Sequence, residues 1–162
     1  MRFALLVLSD KAAAGVRDDG CLPVMEAGLP KGSLVVVREI IADDRPLIEK
    51  RLRAWCDSGE VDCVLTSGGT GLSARDQTPQ ATLAVMDYEV PGIAEAMRAA
   101  SVGVKPTAML SRAVAAVRGK ALIVNLPGSP RGVRETLAVI AGVLPHAVEL
   151  LAGSVGEHAT EP

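Results

Sequence analysis

Thr66-Ser67-Gly68-Gly69-Thr70-Gly71, followed by Asp76 and then Thr78-Pro79, is the stretch of this chain best equipped for chemistry. Glycines let a backbone approach a ligand closely and leave N–H groups free to face an anion. The hydroxyls of Thr66, Ser67 and Thr70 add donors, and Asp76 supplies an acid one loop away. Such a set suits a phosphorylated ligand that carries a metal ion. The stretch matches neither the G-x-x-x-x-G-K-[ST] nor the G-x-G-x-x-G phosphate motif, and it holds no lysine to balance a triphosphate. The missing positive charge would have to come from a metal or from another segment. On residue types alone, a tight glycine turn at a strand end explains the stretch as well as a ligand loop does.

Other candidates are scattered along the chain. Asp43 and Asp76 each precede a helical stretch, where aspartate commonly caps a helix. Asp18 has the look of a solvated loop acid, and Ser101 and Ser111 of surface serines. Arg75, Arg98 and Arg112 could meet an anion, or could be ordinary solvated or salt-bridged arginines. His146 lies in an apolar helical stretch and His158 in the tail, and neither is assigned a role.

The elements that must bring these residues together alternate. Residues 3–8 form an apolar run ending at Ser9-Asp10, and a glycine-bearing loop follows over residues 15–20. A helix is expected over about residues 22–28, and a β-branched strand over residues 34–41. Asp43-Asp44 then opens a helix with Leu47, Ile48, Leu52 and Trp55 at helical spacing. A third strand, residues 61–65, carries the glycine loop. After it Thr78 is expected as the cap, and Pro79 as the first residue, of a helix reaching Met86. Further helices are expected over residues 93–100 and, as one long element, over residues 132–151. Between them residues 114–117 and 121–126 read as a hairpin turning at Arg118-Gly119.

Strand–helix alternation predicts an α/β fold: a three-layer α/β/α sandwich with a mostly parallel, Rossmann-like sheet and one antiparallel strand. Residues 1–152 are expected to form a single domain, and residues 153–162 a polar, frayed tail. Ligands of open α/β sheets collect beyond the carboxyl ends of the strands. Ser9-Asp10, Asp43-Asp44, the 66–71 loop and Leu126-Pro127-Gly128-Ser129-Pro130 all fall there, which favours the ligand-binding explanation of the glycine loop.

Composition narrows the class. At 162 residues the chain can bury a sizeable core, and with aromatics at 2% that core must be aliphatic. Three cysteines without C-x-x-C spacing suit a reducing compartment rather than a disulfide framework or a zinc site. A net charge of −2 with interspersed signs argues against a nucleic-acid surface. The first apolar run is too short for a signal peptide and nothing reaches membrane-spanning length, so the expectation is a soluble, cytoplasmic protein with no membrane partner.

Several segments resemble one family, the molybdopterin-binding domain of molybdenum-cofactor biosynthesis, and within it the free-standing adenylyltransferases. They are Ser9-Asp10, the 15–20 loop with Asp18, Asp43, T-S-G-G-T-G-L-S-A-R-D-Q-T-P-Q-A-T (66–82), P-G-I-A-E-A-M-R (91–98), L-S-R (110–112) and N-L-P-G-S-P (125–130). The resemblance implies Mg2+-dependent transfer of AMP from ATP to the terminal phosphate of molybdopterin, releasing pyrophosphate. It implies Asp43 and Asp76 as the catalytic, metal-holding acids. Substrate contacts would come from Ser9, Asp18, Thr66, Ser67, Gly68, Gly69, Thr70, Gly71, Ser101, Ser111, Pro127, Gly128 and Ser129. It also implies a homo-oligomer, trimer or hexamer, with a molybdenum-insertion protein as a transient partner. A non-catalytic pterin carrier or assembly protein of the same family is the alternative. Against the usual family pattern, Ala42, Ile93, Ala94 and Ala116 are departures that remove no proposed catalytic group and leave the local shape of the pocket open.

Overall fold

Alternation along the first strand sets the layers of the molecule. In a computed structural model of the chain, which describes residues 1–153, the order of elements is β1 (Arg2–Leu8), α1 (Asp10–Ala13), α2 (Cys21–Ala27), β2 (Leu34–Ile41), α3 (Arg45–Asp57), β3 (Cys63–Ser67), α4 (Thr78–Leu83), β4 (Tyr88–Glu89), α5 (Pro91–Val102), a 3-10 turn (Pro106–Leu110), β5 (Ala115–Arg118), β6 (Ala121–Leu126), α6 (Pro130–Ile140) and α7 (Leu144–Ala152). Phe3, Leu5 and Val7 of β1 face one apolar cluster, while Ala4, Leu6 and Leu8 face another, as the two-residue period of a strand requires. Met25 of α2, Met97 of α5 and Val133, Leu137 and Ile140 of α6 complete the first cluster. Ile48, Leu52 and Cys56 of α3 with Ala81 of α4 complete the second. A central strand covered on both faces is apolar along most of its length, which is why residues 3–8 of β1, 63–65 of β3 and 121–124 of β6 read as continuous hydrophobic runs.

The sheet order is β2-β1-β3-β6-β5-β4. β2, β1, β3 and β6 run parallel, and β5 alone runs against them, paired with β6 on one side and β4 on the other. The expected three-layer sandwich with one antiparallel strand is therefore the observed architecture. From β1 the chain crosses to β2 over the α2 face, then returns past β1 to β3 over the α3 face. The loops leaving β1 and β3 diverge at this switch point and open a crevice at the carboxyl ends of the strands.

Three expectations need correction. The long helix over residues 132–151 is two helices, α6 and α7, bent by 61°. Pro145, in the first turn of α7, lacks the N–H that would continue α6, although the apolar periodicity runs on across the break. Thr78 is the first residue of α4 rather than its cap; Gln77 holds the cap position, and the helix stops at Leu83. The short elements α1 and β4 were not expected, being too brief to carry a period. Of the polar tail, only Gly153 falls within the described residues, where it caps α7 in the left-handed conformation. All three cysteines are buried and free, and burial pushes the Cys56 thiol up to about 12. Among the described residues no single helix is long and apolar enough to cross a membrane.

Candidate active site

The end of β1 begins the site. Ser9 caps α1, its hydroxyl accepting from the Ala12 N–H at 3.3 Å, and this presents Asp10 at the helix start. Asp10 and Asp43 hold each other across the gap between β1 and β2. The Asp10 N–H donates to Asp43 Oδ2 at 3.2 Å, and the Asp43 N–H donates to Asp10 Oδ1 at 3.0 Å. Arg75, from the loop after β3, grips Asp10 with Nε to Oδ2 at 3.0 Å and Nη2 to Oδ1 at 2.7 Å. That guanidinium holds the Asp10 carboxyl below the usual carboxylate range.

Of the two adjacent acids after β2, Asp44 is the cap of α3, accepting from the Leu47 N–H at 2.9 Å. Asp43 is thereby spared capping duty. Burial pushes its carboxyl up, the Asp10 N–H and the Arg75 charge oppose this, and the nearby Asp10 and Asp76 carboxylates add to it. The net effect disfavours the charged form, so its surroundings compensate the carboxylate only in part.

Against these acids lies the glycine loop. Gly68 (φ +110°) and Gly69 (φ +63°) adopt backbone conformations that disfavour any side chain. A Cβ on Gly68 would collide with the Leu8 carbonyl, and one on Gly69 with the Thr78 hydroxyl. The same Gly69 position lies 3.3 Å from Asp43 Oδ1, and a Cβ on Gly71 would lie 3.0 Å from Asp76 Oδ2. The loop can thus nestle against both acids only because it is glycine-rich. Asp76 is not a helix cap; its Oδ2 accepts from the Ser73 N–H at 2.7 Å within its own loop.

Beneath the loop, hydroxyls serve the frame. Thr66 is fully buried and accepts from Asn125 Nδ2 at 3.0 Å, and the same amide donates to Thr82 Oγ1 at 3.0 Å. Ser67 Oγ donates to the Pro127 carbonyl at 2.8 Å. Gly128 packs on Gly68, where a Cβ would come within 3.1 Å of the Gly68 Cα. Ser129 caps α6, accepting from the Gly132 N–H at 3.2 Å.

Two cavities result, and Ser129 borders both. The larger, about 610 Å³, gathers Ser9, Asp18, Asp43, Ser67, Gly68, Gly69, Asp76 and Gly128. The smaller, about 240 Å³, takes in Thr70, Gly71, Ser101, Ser111 and Pro127. Every residue expected from the resemblance to hold metal or touch substrate borders one or the other except Thr66, whose hydroxyl lies in the buried network, whereas the candidate arginines Arg75 and Arg112 border neither. The serines in the smaller cavity also make local bonds, Ser101 to the Met97 carbonyl at 2.9 Å and Ser111 from the Ala113 N–H at 3.3 Å. Sequence reasoning missed Lys105 and Glu135 on the smaller cavity's wall. Nothing in their local sequence separates them from solvated surface charges. It also missed the Asp10–Arg75 pair, whose partners stand 65 residues apart.

Among the described residues no group of three or more His, Cys, Asp or Glu side chains could hold a metal ion. A metal here would rest on Asp43 and Asp76, which border one cavity. Mg2+ suits such a sparse donor set, since it binds through one or two carboxylates, substrate phosphates and retained waters. The only partly compensated carboxylate at Asp43, beside Asp76 in the same cavity, fits a cation in that place.

A crevice at the switch point of a mostly parallel α/β sheet, floored by a glycine loop and flanked by acids, is where such folds take their ligands. Residues 4–146 match the family described as "Probable molybdopterin binding domain", and the chain belongs to that family. It is 40% identical to the molybdopterin adenylyltransferase of Helicobacter pylori over 157 residues, covering 95% of this chain and 89% of that protein. The Escherichia coli molybdopterin adenylyltransferase is 39% identical over 176 residues, covering 99% and 90%. The crystal structure of the molybdopterin biosynthesis enzyme MoaB of Thermus thermophilus superposes with a TM-score of 0.88 at 47% identity, covering 94% of this chain and 96% of that one.

Proposed function

We propose that the chain is a nucleotidyltransferase of molybdenum-cofactor biosynthesis, a molybdopterin adenylyltransferase. An oxygen of the terminal molybdopterin phosphate attacks the α-phosphorus of ATP, a new P–O bond forms, and the α–β bridge breaks to release pyrophosphate. A phosphate nucleophile is already ionised near neutral pH, so no catalytic base is required. The reaction brings two anions together, and its barrier yields to positioning and charge stabilisation.

The observation that carries this reading is the pair of cavities sharing Ser129, the larger bordered mainly by acids with Arg17 among them, the smaller by Arg98 and Lys105 with Glu135. The larger suits ATP, with Asp43 and Asp76 as the residues that would hold Mg2+. Bound there, the ion would neutralise triphosphate charge, answering the absence of a lysine in the glycine loop. The smaller offers Met97, Ala108 and Pro127 as apolar wall for a pterin, with Arg98 and Lys105 for its phosphate. Gly68 and Gly128, packed together on the wall of the larger cavity, would let the nucleotide approach the backbone closely. The reading extends to a cytoplasmic homo-oligomer, trimer or hexamer, that passes its product to a molybdenum-insertion protein.

A coupled assay with ATP, Mg2+ and molybdopterin tests it, the expected outcome being pyrophosphate release that requires all three. Tight molybdopterin binding without pyrophosphate release would instead favour the carrier or assembly role.

A further inference from the structure

Arg112 was a candidate anion contact by sequence, but its donors point into the protein. Its backbone N–H donates to the Thr70 carbonyl at 2.9 Å. Its side chain donates from Nε to the Gly71 carbonyl at 2.7 Å and from Nη2 to the Asp76 carbonyl at 2.6 Å. We propose that Arg112 is a positioning residue for the transfer reaction, a clasp that fixes the loop bearing Asp76 and aims the amides of the glycine loop. The proposal rests on the adenylyltransferase reading of the site.

The geometry of successive peptides carries the inference. Thr78 holds the two preceding carbonyls, its hydroxyl donating to Gly68 O at 2.8 Å and its N–H to Gly69 O at 3.2 Å. Four carbonyls in a row, Gly68 to Gly71, are therefore tied back by Thr78 and Arg112. In a trans peptide the N–H points opposite to the C=O. The amides of Gly69, Thr70, Gly71 and Leu72 are thereby turned away from Thr78 and Arg112, and among the described residues none donates to a protein acceptor. A run of unpaired amides beside two acids is a preset cradle for a metal-bearing anion.

The two guanidinium bonds of Arg112 also close on both ends of the 71–76 segment. Inside that span Asp76 Oδ2 accepts the Ser73 N–H at 2.7 Å, and the Asp76 N–H donates to the Ser73 carbonyl at 2.9 Å. Clasp and internal bonds together fix the Asp76 carboxylate at the larger cavity. Arg112 directly follows Ser111, which borders the smaller cavity, so one short segment serves both substrates. The planar fork holds the two carbonyls in a fixed geometry, whereas a lysine ammonium, a compact charge with rotatable donors on a shorter reach, does not impose it.

Arg112→Lys and Arg112→Met separate a clasp from a simple cation. We expect both to lower the turnover number for pyrophosphate release about 10- to 100-fold, as misplacement by about 1 Å does. Both should also speed hydrogen exchange at the Ser73 and Asp76 amides while β1 and β6 amides keep wild-type protection, and weaken Mg2+–ATP binding by calorimetry. Wild-type turnover in Arg112→Lys would overturn the clasp, because charge alone would then suffice. Unchanged exchange at Ser73 and Asp76 in a folded variant would overturn it as well. If Arg112→Met does not fold, the lysine variant gives the same readings. Should the wild type release no pyrophosphate, the adenylyltransferase reading fails, and exchange and Mg2+–ATP binding still decide whether Arg112 sets the loop.

Discussion

The two cavities that meet at Ser129 are built on different terms. The larger is made by the ends of parallel strands, and its loops are bound to one another: Asp10 to Asp43, Arg75 to Asp10, Thr78 to the glycine carbonyls. The smaller is walled by α5, the 3-10 turn and α6, with Lys105 exposed on its rim. Backbone geometry and short acids govern the first, where reacting charge must be met by groups already in place. Longer, separate side chains govern the second, where a ligand must be held. A protein that joins two anions needs rigidity at the reacting phosphate more than at the far end of the second substrate.

That contrast can be broken by substitution, and the largest effects should fall on the acid side. Asp43→Asn and Asp76→Asn should each lower pyrophosphate release by about 1000-fold or more, on the scale of losing a transition-state charge contact, with molybdopterin binding retained in a calorimetric titration. Gly69→Ala comes next. A side chain at φ +63° that collides with the Thr78 hydroxyl should destabilise the fold by about 1–3 kcal/mol, read in urea denaturation, and should slow turnover as well. On the other side, Lys105→Met should raise the KM for molybdopterin about tenfold, the worth of one phosphate contact of roughly 1.4 kcal/mol, while leaving kcat near wild type. A fall in kcat with unchanged KM would erase the distinction between the cavities.

The smallest effect concerns stability and pH. The Asp43 carboxyl is raised in the folded protein, chiefly by burial, so its charged form opposes folding. That opposition is present above its folded pKa and fades as pH falls through it toward the unfolded value, where the proton is bound in both states. Asp43→Asn should therefore melt slightly above the wild type at neutral pH, the gap closing in acid, although it removes activity. Asp10 behaves in the opposite sense. Arg75 depresses its carboxyl, and the stability the pair supplies is present above the unfolded pKa and lost as pH falls through the folded one. Arg75→Met should cost a little stability at neutral pH and none in strong acid, which thermal melts across pH would read.

How much of this was visible in the sequence follows from what each feature depends on. The buried strands β1, β3 and β6 announce themselves, because burial on both faces leaves apolar runs whose few buried polar residues, Thr66, Ser67 and Asn125, come only toward the carboxyl ends. The break between α6 and α7 does not, since apolar spacing continues through Gly142 and only Pro145 hints at it. The glycine loop and its acids were legible as a group because they follow strand ends. Which of Asp43 and Asp44 caps α3 was not, as either could serve, and only backbone geometry gives the task to Asp44. Thr66 and Ser67 were read with their neighbours as ligand contacts, yet their hydroxyls meet Asn125 and Pro127, roughly sixty residues on, as the register of β3 with β6 dictates. Arg112 shows the same limit: its partners stand 41 and 36 residues away and are carbonyls, which no residue type reveals.

The most direct test of the central claim follows the fate of individual phosphates. ATP labelled at the α-phosphate, in a parallel reaction with ATP labelled at the γ-phosphate, would be incubated with Mg2+, molybdopterin and the protein, with Asp76→Asn alongside. The account predicts α-label in the pterin product, γ-label in pyrophosphate, and neither transfer with the variant. Label from the γ-position in the pterin, or no transfer of α-label by wild-type protein that binds both substrates, would contradict it.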